Sequence, residues 1–328
     1  MWKFIRNTAL FFLLVAVIDA ASGVGFSLLR KIARGGQTYK SEYLKDTGTP
    51  DILILGSSRA ARHYVPSILE DSLGLSCYNA GEPGCGIIPA YVRYKLVARR
   101  KPPKLVIYEV SPYFDYQVDN DYSKYLGEIR QYTDDKLVRD VFLDFTDELE
   151  NLRLCSRMYR NNSRLLTNIR DIIAPPVSDK GCVPYFGKMK QIPDAANRKQ
   201  GGVKAARQAP AAYKAQEIDS LKLGYLERLV KEALQDSVTI LFAVSPTLGM
   251  GQLYKDYSEA LRLCEKYGIP FLNNKLMKGI AGVPDYFYDP NHLNYQGAVA
   301  YTQALVEQLR RYAPILVQPP GPASGPDR

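Results

Sequence analysis

The chain is poor in the side chains that bind metals. Its 328 residues include two histidines and five cysteines, and the cysteines form neither a Cys-x-x-Cys pair nor another metal-ligand spacing (Cys77, Cys85, Cys155, Cys182 and Cys264). Because five is an odd number, at least one cysteine is unpaired, which argues against a disulfide framework. We expect no metal and no cofactor, and mostly small, buried cysteines. Cys155 and Cys182 are the one pair considered for a bridge in an oxidising compartment.

Long apolar runs are absent except near the start of the chain. Thr8 to Leu29 carries a single charge, Asp19, and is long enough to cross about 30 Å of hydrocarbon as a helix. The preceding Lys3 and Arg6 also fit a cleaved signal peptide, but the apolar run continues to Leu29, which favours an uncleaved anchor. Basic residues on both sides leave the orientation open. Everything after about residue 31 then lies on one side of a membrane.

Apolar runs of strand length alternate with helical patterns through much of the remaining chain. The predicted strands are Ile52–Leu55, Ser76–Asn79, Leu105–Val110, Val238–Val244 and Pro270–Leu272. Near-continuous apolar strands separated by helices are typical of a parallel sheet covered on both faces. The sequence therefore predicts an α/β fold with a five-stranded parallel sheet.

The alternation also suggests how the chain is divided. We expect an N-terminal anchor and flank at 1–34, a tether at 35–49, the α/β domain at 50–313 and a disordered tail at 314–328. An insertion at 113–215 interrupts the alternation; 147–173 has helical spacing, which predicts a mostly helical cap over the sheet edge. Residues 187–215 hold seven Lys or Arg against one acid and contribute +6 of the net charge of +9, which indicates a mobile basic loop.

Two short motifs point to nucleophilic chemistry. Gly56-Ser57-Ser58 follows the first strand, and Asp289-Pro290-Asn291-His292 precedes the last helix. A serine hydroxyl becomes a good nucleophile when an imidazole takes its proton, and a carboxylate holds the imidazole in the required tautomer. We expect Ser58, His292 and Asp289 in these roles, although Gly-Ser-Ser alone also fits a turn and a helix N-cap. The other histidine, His63, is expected to point away from Ser58, towards the surface or the substrate.

An α/β-hydrolase is the nearest alternative, because it also uses Ser, Asp and His in this chain order. That fold expects Gly-x-Ser-x-Gly, whereas Ala60 occupies the last position here. Its acid also usually lies much further from the histidine than three residues. The pattern fits this fold less well.

The motifs resemble those of the SGNH/GDSL hydrolase family over about residues 50–116 and 217–312. Gly56-Ser57-Ser58 is similar to the first family block, with Ser58 as nucleophile, and Asp289-Pro290-Asn291-His292 is similar to the fifth block. Asn79-Ala80-Gly81-Glu82-Pro83-Gly84 resembles the second block, whose glycine NH lines an oxyanion hole; Gly84 is the better match and Gly81 the alternative. The resemblance implies a flavodoxin-like doubly wound sheet and oxyanion donors at Ser58 and Gly84.

The third family block departs from the pattern. The family places an oxyanion asparagine after the third strand, where this chain has Ser111-Pro112-Tyr113. Losing one donor costs on the order of 3 kcal/mol of transition-state stabilisation. Ser111 or Arg59 is a candidate replacement, and Arg59, Ser111 and Tyr113 are candidate substrate contacts.

The resemblance implies a membrane-anchored serine esterase of the bacterial cell envelope. Its expected substrate is an O-acyl or O-acetyl ester of a polysaccharide or glycolipid, and nucleic acid is not an expected partner. The expected location is the inner membrane, with a single span and an extracytoplasmic catalytic domain. Two alternatives stay open: an O-acyltransferase using the same acyl-enzyme, and a non-catalytic scaffold or partner of a membrane acyltransferase.

Overall fold

A five-stranded parallel sheet forms the centre of the molecule. The computed structural model describes residues 1–118, 121–162, 164–189, 217–248 and 257–312. The strands lie in the order β2-β1-β3-β4-β5, which confirms the predicted flavodoxin-like doubly wound sheet. They are β1 (Ile52–Gly56), β2 (Cys77–Asn79), β3 (Leu105–Glu109), β4 (Thr239–Val244) and β5 (Phe271–Asn273).

Fourteen α-helices occur in the described ranges. Five precede β3 in the chain: α1 (Trp2–Lys31), α2 (Gly36–Asp46), α3 (Ser58–His63), α4 (Pro66–Leu73) and α5 (Ile87–Ala98). Six belong to the insertion: α6 (Pro112–Asp115), α7 (Ser123–Ile129), α8 (Lys136–Leu143), α9 (Glu148–Arg153), α10 (Arg157–Asn162) and α11 (Leu165–Ile173). The last three are α12 (Ser220–Gln235), α13 (Ser258–Tyr267) and α14 (Tyr295–Leu309), and a hairpin of β6 (Phe287–Asp289) and β7 (His292–Leu293) precedes α14.

Both faces of the sheet are buried, because its strands are apolar on both sides. Leu53 and Leu55 of β1 pack on one face with residues of α5 and α12. Ile52 and Ile54 pack on the other face with residues of α4 and α14. Residues of one strand point alternately to opposite faces, so an uninterrupted apolar strand needs a helical layer on each side.

The insertion is helical from α6 to α11, as the spacing predicted. From Ser178 the chain returns to the main domain, where Val183 NH bonds to Ala61 O and Tyr295 NH bonds to Tyr185 O. The basic loop predicted at 187–215 falls almost entirely outside the described residues, as does the C-terminal tail.

Four cysteines are buried, as expected, but Cys155 is exposed and unbridged, so the bridge from Cys155 to Cys182 does not form.

The region expected to be a tether contains α2, and this helix packs closely on the main domain. Leu44 is fully buried in the core, and Lys40 is buried with its Nζ donating to Gly81 O at 2.6 Å. Burial lowers the pKa of Lys40 to about 7. Helix α2 therefore fixes the connection between α1 and the sheet.

Candidate active site

Ser58 lies at the carboxyl end of β1, next to the point where the strand order reverses. Gly56 has φ = +130°, and a Cβ there would lie 2.6 Å from the carbonyl oxygen of Glu109 on β3. Glycine thus permits the close approach that turns the chain from β1 into α3, whose first residue is Ser58. Ligands bind in the crevice at this edge of open parallel sheets.

The three residues predicted to act together are in hydrogen-bond contact. Ser58 Oγ lies 2.8 Å from Nε2 of His292, and His292 Nδ1 lies 2.9 and 3.0 Å from the two carboxylate oxygens of Asp289. The backbone NH groups of Asn291 and His292 also donate to Asp289 Oδ1, at 2.8 and 3.0 Å. The carboxylate is therefore fixed in the turn between β6 and β7. It favours a proton on Nδ1, which leaves Nε2 free to accept from Ser58.

The electrostatic surroundings favour a neutral His292. Burial lowers the pKa of His292 below its ordinary value of about 6.5, and the positive charges of Arg62 and Arg59 lower it further. The hydrogen bond and charge of Asp289 oppose this shift without reversing it. A neutral imidazole can accept a proton, as a general base must.

The second predicted motif lies beside the end of β1. Glu82 NH bonds to Gly56 O at 3.0 Å, which places residues 82–84 against the turn that leads into Ser58. Gly81 NH is occupied by Asn79 Oδ1 at 3.0 Å. Within the described ranges, no hydrogen bond to Gly84 NH is found, and Gly84 has φ = +75°. Of the two glycines, Gly84 is therefore the one whose NH has no acceptor among the described residues, and its role as an oxyanion donor stays a prediction.

Of the three predicted substrate contacts, Arg59 and Ser111 are buried and Tyr113 is exposed. Arg59 lies beneath the surface, with its Nε 3.1 Å from Glu109 Oε1 and its Nη2 donating to Val110 O at 2.8 Å. Ser111 is buried, and its NH donates to Asp115 Oδ2 at 2.6 Å. The ion pair holds the guanidinium of Arg59 against the sheet, and its contact with substrate stays a prediction. Tyr113 is partly exposed, with its carbonyl accepting from Lys222 Nζ.

The expectation for His63 is wrong. His63 is fully buried; its Nδ1 lies 2.7 Å from Ser245 Oγ, and its Nε2 accepts from Leu293 NH at 2.9 Å. It faces the interior instead of the surface, and the centroid of its ring lies 6.1 Å from that of His292. The physical reason is that Ser245 Oγ and Leu293 NH, both distant in sequence, give the two ring nitrogens buried hydrogen-bond partners.

Sequence patterns missed an aromatic stack beside His292. Tyr185 of the insertion stacks on Tyr288, with ring centroids 4.0 Å apart, and its ring meets that of His292 edge to face at 5.8 Å. The guanidinium of Arg62 lies 3.6 Å from the centroid of the Tyr185 ring. No sequence periodicity surrounds Tyr185 that could have singled it out.

No protein-family profile matches the chain, and no curated protein sequence matches it. Among solved structures, it is similar to a psychrotrophic esterase, EstA, from Pseudoalteromonas sp., with 13% identity and a TM-score of 0.40 over 80% of this chain and 97% of that chain. It is also similar to a proposed acylhydrolase from Bacteroides fragilis, with 13% identity and a TM-score of 0.38 over 83% of this chain and 94% of that chain. Similarity at this level carries no information about substrate or activity.

Proposed function

We propose that the protein is a membrane-anchored serine esterase in which Ser58, His292 and Asp289 form the catalytic triad. The observation that carries this proposal is the continuous contact from Asp289 through both ring nitrogens of His292 to Ser58 Oγ. A turn or a helix cap at Ser58 would need no histidine at 2.8 Å. If His292 had only a structural role, its Nε2 would not need to face the hydroxyl of Ser58 with a lone pair that can accept a proton.

In the proposed reaction, His292 Nε2 takes the proton of Ser58 as Oγ attacks the ester carbonyl carbon. The tetrahedral intermediate collapses as the bond to the alcohol oxygen breaks, and His292 returns the proton to that oxygen. Water then attacks the acyl-enzyme with His292 again as base, releasing the acid and restoring Ser58. Asp289 keeps the imidazole oriented and stabilises the imidazolium that forms.

The NH groups of Ser58 and Gly84 are the proposed donors to the oxyanion. Gly84 NH is supported by the occupation of Gly81 NH and by its place beside the turn after β1. Arg59 is paired with Glu109 and Ser111 NH bonds to Asp115, so we assign neither residue to replace the asparagine that the third motif lacks. We therefore expect a modest rate for the acylation step, since one oxyanion donor is worth about 10² to 10³ in rate.

The proposed substrate is an O-acyl or O-acetyl ester of an envelope polysaccharide or glycolipid. The exposed ring of Tyr288, stacked on Tyr185 beside His292, offers an apolar face on which a sugar ring can pack. Helix α1 has the length and apolar composition needed for a single span and would hold the enzyme at the inner membrane, with the catalytic domain outside the cytoplasm.

Labelling with a fluorophosphonate probe tests the triad. The wild type should be modified at Ser58, and both Ser58→Ala and His292→Ala should abolish labelling. Ser57→Ala is the matched control, because Ser57 is buried beside Ser58 and its Oγ has no hydrogen-bond partner in the described structure. An unlabelled wild type would contradict the proposal. Supplying the acyl-enzyme with water or with glycan acceptors then distinguishes an esterase from an acyltransferase.

A further inference from the structure

A cavity of about 280 Å³ lies between α1, α10 and the turn before α8, apart from the triad. Gly23 and Ser27 of α1 line one side of it, and Arg157 and Arg160 of α10 line the other. A Cβ on Gly23 would lie 2.4 Å from Cδ of Arg157, so glycine is what lets this arginine lie against α1. The cavity is therefore built at the contact between the apolar helix and the insertion.

The cavity has an excess of positive charge, because Arg30, Arg157 and Arg160 line it together with one acid, Asp134. Within the described ranges, neither Arg157 nor Arg160 has an acidic oxygen within 4.0 Å, and Nε of Arg160 is buried without a hydrogen-bond partner. Burial and the charges of Arg139, Arg157 and Arg30 lower the pKa of Arg160, whereas Asp134 acts in the opposite direction. Arg30, also at the cavity, is paired with Glu42 at 3.0 Å. An anion with several acceptor oxygens would complete the site.

Asp19 fixes the position along α1 at which α10, and with it the cavity, lies. Its carboxylate accepts hydrogen bonds from Ser156 Oγ at 2.6 Å, Arg157 NH at 2.8 Å and Met158 NH at 3.0 Å. These bonds cap the start of α10 and join it to α1. Side chains of α1 before Asp19 are largely exposed, whereas Arg30, near its end, is buried against the domain.

The dimensions of a bilayer place the cavity at the level of the lipid headgroups. Because backbone NH groups of α10 bond to Asp19, the hydrocarbon cannot extend past that residue, so the span shifts from Thr8–Leu29, expected from the sequence, towards Trp2. At about 1.5 Å per residue, Trp2 to Ile18 covers about 25 Å of a hydrocarbon layer of about 30 Å. The headgroup region adds about 5 to 7 Å on each side. Gly23 to Ser27 would begin just past the edge of the hydrocarbon, where lipid phosphates lie.

We propose that this cavity binds the phosphate of an anionic membrane lipid, with Arg157 and Arg160 as its main ligands. The acyl chains would run along the exposed apolar side chains of α1 towards Trp2. The inference rests on the proposed function only in taking α1 as the membrane anchor. Such a lipid would fix the insertion, and with it the active site, at a set distance from the bilayer surface.

Thermal unfolding of the full chain in a neutral detergent tests the site. Dihexanoylphosphatidylglycerol, a short-chain anionic lipid, should raise the Tm of the wild type in a saturable manner, because it binds the folded state. Dihexanoylphosphatidylcholine and inorganic phosphate should raise it much less. If inorganic phosphate were equally effective, the site would bind a soluble anion and the lipid assignment would be overturned; the absence of any shift would also overturn it.

Three variants show where the lipid binds. Arg157→Gln and Arg160→Gln should each weaken the apparent affinity about fivefold, the effect of one basic residue near an anionic membrane surface. Asp134→Asn should strengthen the apparent affinity for the anionic lipid, because it removes a negative charge from the cavity. A misfolded variant would not bind more tightly. The matched control is Arg262→Gln, because Arg262 is half exposed on α13 and, in the part of the chain that the structure describes, pairs with its neighbour Glu259 alone. Equal weakening by Arg262→Gln, or none by the α10 variants, would overturn the proposal.

The test is independent of the esterase proposal and of membrane insertion. Short-chain lipid binding is measured in detergent, so it needs neither a spanning helix nor a reactive Ser58. Fluorophosphonate labelling of Arg157→Gln and Arg160→Gln should match the wild type. Loss of lipid binding with intact labelling would then concern the cavity alone, and intact lipid binding without labelling would concern the triad alone.

Discussion

His63 Nε2 accepts a hydrogen bond of 2.9 Å from the backbone NH of Leu293, the residue after His292. Because Nε2 accepts, the ring proton lies on Nδ1, which donates to Ser245 Oγ at 2.7 Å. Ser245 Oγ in turn donates to Glu109 Oε1 at 2.8 Å, and Glu109 is fully buried at the end of β3. A chain of hydrogen bonds thus runs from the end of β3, the central strand of the sheet, to β7, the strand that carries His292.

Replacing His63 should affect both stability and catalysis. His63→Ala leaves Leu293 NH and Ser245 Oγ without a buried partner, so we expect the free energy of unfolding to fall by about 2 to 4 kcal/mol. Because β7 loses its support, kcat should fall with little change in KM. Denaturant unfolding and steady-state kinetics measure the two effects. The control is Leu305→Ala on α14, which leaves a cavity in the core and should lower the free energy of unfolding by a similar amount without changing kcat. If kcat also fell in Leu305→Ala, the effect of His63 on kcat would follow from lost stability alone.

The pH profile of the proposed esterase activity should reflect the lowered pKa of His292. The general base must be neutral, so kcat/KM should rise with pH and reach its plateau after a midpoint below about 6.5. Arg62→Gln removes a positive charge that lowers this pKa, so the midpoint should move up. A midpoint above 6.5 in the wild type would mean that Asp289 outweighs burial.

Stability should depend on pH through His63 as well. Burial lowers the pKa of His63 well below its ordinary value, so the unfolded chain binds this proton more readily than the folded protein. Its contribution is therefore complete above about pH 6.5 and is lost as the pH falls from there towards the folded pKa. Denaturant unfolding of wild type and His63→Gln between pH 7.5 and about 5 tests this, and the variant should show the smaller decrease.

Asp289→Asn should damage catalysis far more than stability. The amide can retain one oxygen acceptor, but it removes the charge that stabilises the imidazolium and can favour the wrong tautomer of His292, so we expect kcat to fall by about 10³ or more. Asp285→Asn is the matched control, because Asp285 lies on the same segment and its carboxylate makes an exposed pair with Lys188. Burst kinetics with an activated ester should show a slower acylation step in Asp289→Asn alone.

The sheet and the contact between Asp289 and His292 could be predicted from the sequence, because each depends on local signals. Strands such as Ile52–Gly56 are buried on both faces and appear as unbroken apolar runs, and Asp289 and His292 share one tight turn. The roles of His63 and Tyr185 could not be predicted, because they depend on tertiary contacts. Tyr185 is held beside His292 by an isolated β-bridge between Tyr185 and Asn294, which are distant in sequence. No local sequence pattern encodes such a bridge.

Lys124, on α7 of the insertion, is expected to contribute to the oxyanion side of the site. Its Nζ lies 2.6 Å from the position that a Cβ on Gly84 would occupy, and among the described residues no acidic oxygen lies within 4.0 Å of it. A positive charge beside Gly84 stabilises negative charge that develops there, although exposure to water reduces the effect. We expect Lys124→Met to lower kcat/KM by about tenfold and to slow fluorophosphonate labelling.

The effect of Lys124 should depend on its charge. Lys124→Arg should restore most of the rate, whereas Lys136→Met, which removes a lysine exposed on α8, should leave kcat/KM unchanged. Higher salt should reduce the difference between wild type and Lys124→Met, because ions screen an exposed charge. Labelling of Lys124→Met at the wild-type rate would show that this charge does not act on the oxyanion, and the missing asparagine would then have no replacement on this side of the site.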